Sequence, residues 1–130
     1  MNTTCPTPSD IKLHTQSRLL ELIYSDGERY ELSCEYLRVY SPSAEVKGHG
    51  PEQEVLQIGK INVSINAIEP VGNYALQLVF SDGHNSGIYS WDYLYQLATH
   101  KAAWWQDYLQ RLNNAGASRD PNIQVVKIGK

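Results

Sequence analysis

Leu20-Glu21-Leu22-Ile23-Tyr24-Ser25-Asp26-Gly27 returns in the second half of the chain as Leu76-Gln77-Leu78-Val79-Phe80-Ser81-Asp82-Gly83, alike in character at every position. With one extra residue allowed, Leu32-Ser33-Cys34-Glu35-Tyr36-Leu37 then matches Tyr89-Ser90-Trp91-Asp92-Tyr93-Leu94. Each copy reads strand, Ser-Asp-Gly turn, strand, serine cap, helix. Mixed apolar and β-branched residues favour the strand, and Asp-Gly supplies the positive φ of a tight hairpin. Ser33 and Ser90 can each accept a hydrogen bond from a free amide in the first helical turn, where Glu35 and Asp92 also suit the helix dipole. Two copies do not make a solenoid, so the echo predicts one pseudo-symmetric domain. The fold class is α+β: a mainly antiparallel sheet from two pseudo-repeated β-hairpins, each followed by a helix, the second helical segment being longer.

Working outward from the repeat, 41–53 contains Pro42, Gly48, Gly50 and Pro51 and few apolar residues. It reads as a loop of about a dozen residues, longer than most connections need and a natural place for function. The stretch 54–69 alternates in part through Val55, Ile58, Ile61, Val63 and Ile65, which predicts a hairpin turning near Gly59-Lys60 and closed by Pro70 and Gly72. Ala75, Leu76, Leu78 and Val79 are too continuously apolar for an edge and predict a central strand. From Ser90 the period becomes helical, with a break near Thr99-His100 and a stop at Gly116. The domain is therefore placed at 18–116. Residues 1–17 read as a flexible leader, and 117–130 as a tail that docks as a short strand or stays loose.

Composition excludes several classes. With 130 residues, 42% hydrophobic and 19% charged, the chain is too apolar for disorder, and its apolar runs are too short to span a bilayer. Eleven Lys and Arg against fourteen Asp and Glu give a net charge of -3, which disfavours a nucleic-acid partner. Two cysteines, Cys5 and Cys34, make neither a disulfide framework nor a four-thiolate zinc site. The first ten residues have neither a positive region nor an apolar stretch, so a cytoplasmic protein is expected.

Motifs for chemistry are sparse. Gly48-His49-Gly50 lacks the third glycine of a dinucleotide loop, and no His-x-Asp, His-x-Glu, His-Glu-x-x-His or Gly-x-Ser-x-Gly occurs. Cys34 reads as a small buried residue opposite Trp91 in the repeat; as a nucleophile it would need a base that no motif supplies. His84 stands where the first copy has Glu28. It reads either as an exposed turn histidine bonded to local backbone or as a ligand or polar contact beside the long loop. His49 is a loop residue or a second ligand. Arg38 either anchors an anionic partner or pairs with a carboxylate such as Glu35. Of Trp104-Trp105, one ring is expected in the core and the other on the surface.

Three ordered motifs carry a resemblance. Leu37-Arg38 leading into Ser41-Pro42-Ser43-Ala44-Glu45-Val46, then Ile68-Glu69-Pro70-Val71-Gly72-Asn73-Tyr74-Ala75, and Ser81-Asp82-Gly83-His84 with Gly87-Ile88-Tyr89-Ser90-Trp91 resemble the gamma-butyrobetaine hydroxylase-like N-terminal domain family (DUF971) over roughly 18–97. In the dioxygenases of that family, the resemblance implies, this module precedes the catalytic domain and binds a structural zinc through Cys-Pro-Cys-x-x-Cys and the histidine of Asp-Gly-His. The iron and 2-oxoglutarate site belongs to the other domain. Here the thiolate positions fall on Ser41, Ser43 and Val46, and only His84 survives. Hydroxyls are poor substitutes for thiolates and valine cannot coordinate, so no metal or other cofactor is expected. The chain is similar to a short, stand-alone bacterial branch. Related modules fused to iron-sulfur cluster carrier ATPases suggest accessory work in cofactor pathways.

The sequence therefore leads to a non-enzymatic binding module with a protein partner and no membrane, its face formed by Arg38, Ser41, Ser43, His49, Asp82 and His84. The alternative is an iron- or zinc-binding accessory protein of oxidoreductase or iron-sulfur pathways, using His84 and His49 with Asp82 or Glu45 as a further ligand.

Overall fold

The computed structural model describes residues 6–48 and 54–123. Two three-stranded antiparallel sheets carry the repeat. The first comprises β1 (Asp10–His14), β2 (Leu19–Ile23) and β3 (Arg29–Ser33) in that order, followed by α1 (Cys34–Val39) and the short α2 (Ala44–Lys47). The second comprises β4 (Ile65–Val71), β5 (Ala75–Phe80) and β6 (Ile88–Ser90), followed by α3 (Trp91–Thr99) and α4 (Lys101–Ala115).

The two hairpin turns are built alike. Tyr24 N–H donates to Glu28 O at 2.9 Å and Gly27 N–H to Tyr24 O at 3.0 Å; Phe80 N–H donates to His84 O at 2.9 Å and Gly83 N–H to Phe80 O at 3.0 Å. Gly27 and Gly83 take φ of 93° and 92°, which a side chain would resist. The serine caps form as well: Ser33 Oγ accepts from Tyr36 N–H at 3.0 Å and Ser90 Oγ from Tyr93 N–H at 3.1 Å. The helical stretch breaks at His100, and Gly116 ends α4 in the left-handed region at φ 65°. The core lies between the sheets and helices and holds Leu20, Leu22, Leu32, Leu37, Leu78, Leu94 and Leu97 without exposure. Each such side chain contributes about 1.5–3 kcal/mol of burial free energy. The buried rings are chiefly tyrosines that place the hydroxyl on a carbonyl: Tyr36 on Leu97 O at 2.8 Å and Tyr89 on Leu37 O at 2.6 Å.

Several expectations are corrected. Part of the stretch expected to be a flexible leader, 10–14, is β1, paired along its length with β2 and turning Ile11 and Leu13 inward. Alternation over five residues was enough to make an edge strand. The expected hairpin at Gly59-Lys60 does not form: β4 begins at Ile65 and pairs with β5, which is indeed central in its sheet. The amides of Gly59 and Ile61 instead reach the C-terminal segment, donating to Ser118 O at 2.9 Å and Arg119 O at 3.0 Å. Pro70 does not close the strand, because β4 is an edge and needs no amide there. The tail docks through 118–119 with no strand in its described part, and 124–130 lie outside the described residues. Finally, Trp104 and Trp105 are both half-buried, stacked on His100 and edge-on to Tyr36 respectively.

Candidate functional site

The end of α1, the segment leading into α2 and the turn of the second hairpin meet at one place. Arg38, in the last turn of α1, is buried; its Nε donates to Asp82 Oδ2 at 2.9 Å and its Nη1 to Gln57 Oε1 at 2.9 Å. Lys60 adds a second cation at 2.7 Å from the same Asp82 oxygen, and His84 N–H donates to Asp82 Oδ1 at 3.2 Å. Burial alone would raise the Asp82 carboxyl, but Lys60, the His84 amide and Arg38 outweigh it and hold the pKa at about 2. Arg38 thus pairs with a carboxylate, as one of its two readings had it, but the carboxylate is Asp82 and not Glu35, which is taken by Arg119.

His84 is not an exposed turn residue. Its side chain is 3% exposed, with Nδ1 3.0 Å from Glu45 Oε1 and Nε2 2.8 Å from Ser41 Oγ. Burial and the nearby Arg38 guanidinium push its pKa below the ordinary value; Glu45 and Asp82 pull the other way and do not prevail. An ionised carboxylate only accepts, so Nδ1 carries the ring proton and Nε2 receives the Ser41 hydroxyl. Ser41 Oγ in turn accepts from Ser43 N–H at 3.2 Å. Ser43 Oγ is hydrogen-bonded to Ser86 Oγ at 2.7 Å and caps α2 by accepting from Glu45 N–H at 3.1 Å.

Carboxylate, imidazole and hydroxyl in this order is the arrangement of a hydrolase triad. Access is what differs. Ser41 has no exposed surface, and Gly87 packs so tightly on its Oγ that even a Cβ there would collide, leaving no room for an acyl carbon. The cavity under the loop, among Val46, Lys47, Glu54 and Arg111, is about 20 Å³, room for one water. An apolar groove of about 380 Å³ lies elsewhere, between Tyr36, Leu19 and Trp105, and contains none of the sequence-predicted site residues.

The residues do not fit the zinc that the resemblance implies. The positions of the three thiolates hold two hydroxyls already spent in hydrogen bonds and a buried valine, and both nitrogens of His84 have partners. Among the described residues no group of three or more His, Cys, Asp or Glu is gathered to hold a metal. Five of the six residues predicted from sequence thus converge, but Arg38, Ser41, Ser43 and His84 are buried and Asp82 is paired. His49 lies outside the described residues. Sequence reading named Glu45 only as a possible metal ligand and missed Lys60, Gln57, Ser86 and the packing of Gly87. Beside the cluster Glu45 is 69% exposed, and Val55, 54% exposed, donates its N–H to Val46 O at 2.8 Å.

The chain that folds into these paired hairpins matches the model of the family "Gamma-butyrobetaine hydroxylase-like, N-terminal" over residues 11–95, and it belongs to that family. It is similar to two proteins solved in solution by NMR. One is 54% identical at a TM-score of 0.81, covering 96% of this chain and 98% of the other. The second is 53% identical at a TM-score of 0.76, covering 96% and 94%. A crystal structure of a DUF971-family protein of unknown function from Acidithiobacillus ferrooxidans is 40% identical, with a TM-score of 0.60 over 71% of this chain and 92% of that one. No curated protein matches significantly. Among the described residues no helix is long and apolar enough to cross a membrane.

Proposed function

We propose that the chain is a non-catalytic binding module whose partner is a protein. The partner face comprises the exposed side chains of Glu45, Val55 and Ile58, and His49, which follows α2 in the sequence, is assigned to it. One observation carries this reading: the exposed carboxylate of Glu45 is fixed by the buried His84, and the exposed Val55 is tied through its N–H to the neighbouring Val46. Arg38, Ser41, Ser43, Asp82 and His84 then act as the foundation of the face and not as its contacts. Such a division is what a binding loop needs, since affinity improves when the loop is ordered before the partner arrives.

The test is capture from cell extract by wild type and by Glu45→Lys, His49→Ala and Val55→Asp variants, with folding checked by circular dichroism. A protein held by wild type and lost from the folded variants supports the face. Equal capture by all four rejects it. The competing reading, an iron- or zinc-binding accessory protein of oxidoreductase or iron-sulfur pathways, requires His84 to give up Ser41 or Glu45 to the metal. Stoichiometric metal in protein purified anaerobically, lost in His84→Gln, would favour it.

A further inference from the structure

We infer that Glu45, His84, Ser41, Ser43 and Ser86 form a metal-free latch that orders the α2 segment and opens as a local unit while the two sheets stay folded. The contacts join residues 43 positions apart: Ser41 to His84 at 2.8 Å and Ser43 to Ser86 at 2.7 Å. Glu45 adds the third tie, to the far side of the same imidazole. α2 has four residues, far too few to hold a helix alone, so its order comes from its attachments. Besides the latch these are the Val46 side chain, the Val55–Val46 main-chain bond and the Lys47 ammonium 5.0 Å from the Tyr93 ring centre.

The core is secured differently. β2 and β5 are central strands with partners on both sides, and their inward residues have almost no exposure. A segment held by a few side-chain hydrogen bonds, one main-chain bond, one cation–ring contact and one buried valine opens at lower free energy than such strands. Where thiolates and a metal would bind the two turns rigidly, this chain uses hydrogen bonds, two between neutral groups and one to the Glu45 carboxylate, that break and reform. The latch thereby regulates how long the proposed partner face stays ordered. For that purpose it rests on the binding reading, but its existence can be decided on the free protein.

Amide hydrogen exchange by NMR on wild type, Ser41→Ala and Ser86→Ala tests it. In the variants the amides of Val46, Lys47 and Gly48, all hydrogen-bonded within the α2 turn, are expected to exchange at least ten times faster. Those of Leu22 and Leu78 should keep their rates. Uniform acceleration would mean that the junction belongs to the cooperative core, and unchanged rates at α2 would mean that it holds nothing; either result overturns the latch. Zinc sulfate titrated into wild type should leave the His84 ring signals in place. A stoichiometric shift of those signals with slower exchange at α2 would overturn the metal-free character. Failure to find a partner would leave these readouts unaffected.

Discussion

Glu35 and Arg119, 84 positions apart, close a two-pronged ion pair: Nε to Oε2 at 2.8 Å and Nη2 to Oε1 at 2.7 Å. Glu35 is buried, Arg119 is about a third exposed, and the guanidinium also lies 5.1 Å from the Trp105 ring centre. The pair fastens the C-terminal segment across α1, and the Gly59 and Ile61 amides hold the same segment from the other side. Removing Arg119 strands a buried carboxylate.

Arg119→Ala is therefore expected to cost about 2–3 kcal/mol, below the full range for breaking a buried pair because one partner is partly solvated. Glu35→Gln in the same background should recover part of that loss, since a neutral amide is cheaper to leave unpaired. Urea unfolding of the two single variants and the double variant measures the coupling. Additive losses would show that the pair contributes nothing beyond its separate side chains.

The junction sets a two-step acid response. His84 is held neutral below its ordinary pKa, so the unfolded chain binds the extra proton; its contribution is complete above about pH 6.5 and declines as pH falls through the lower folded value. Asp82, depressed to about 2, contributes fully above about pH 4 and loses that contribution as pH falls towards 2, a loss of about 1–2 kcal/mol after screening at its exposed rim. Stability measured from pH 8 to pH 2 should thus decline in two stages. His84→Gln should flatten the first and Asp82→Asn the second, whereas two variants with parallel profiles would assign the response to other groups.

What the sequence made legible was local. The Ser-Asp-Gly turns, serine caps, helix break and Gly116 stop are set by residues within a few positions, and they appear as read. The missed parts are those whose partners lie far away. The amides of Gly59 and Ile61 suit a hairpin until Ser118 and Arg119 offer them carbonyls, and Glu35 suits Arg38 until Arg119 arrives with two donors. The same limit applied at the site. Asp82 and His84 could be placed in a turn, but whether the imidazole faced water depended on Ser41, Glu45 and Gly87 coming from two other segments.

Cys34 begins α1 with no exposed surface, and burial pushes its thiol up from the ordinary value. A thiol that is both covered and protonated is a poor nucleophile. In a Cys5→Ser background, iodoacetamide at pH 7.5 should modify Cys34 at least about a hundred times more slowly in the native protein than in urea-unfolded chain, following the population of the open form. Comparable rates in the two states would instead mark an accessible thiolate.

Gly87 has no side chain because Ser41 occupies the space. An added Cβ would collide with Ser41 Oγ and lie 3.2 Å from Tyr89 Cε1 and 3.4 Å from Pro42 Cδ. Ser41 cannot turn aside without losing His84 and the Ser43 amide, and Tyr89 is fixed by its bond to Leu37 O. Gly87→Ala should accordingly cost about 2–3 kcal/mol, overpacking plus a broken hydrogen bond. The diagnostic comparison is the same substitution in Ser41→Ala, where the obstructing oxygen is gone and the His84 bond is already lost. There the added methyl should cost under about 1 kcal/mol, a coupling well above the error of additivity for unlinked sites. Equal costs in both backgrounds would place the strain on Tyr89 and Pro42, and the tight contact of Gly87 with the latch would then have no energetic consequence.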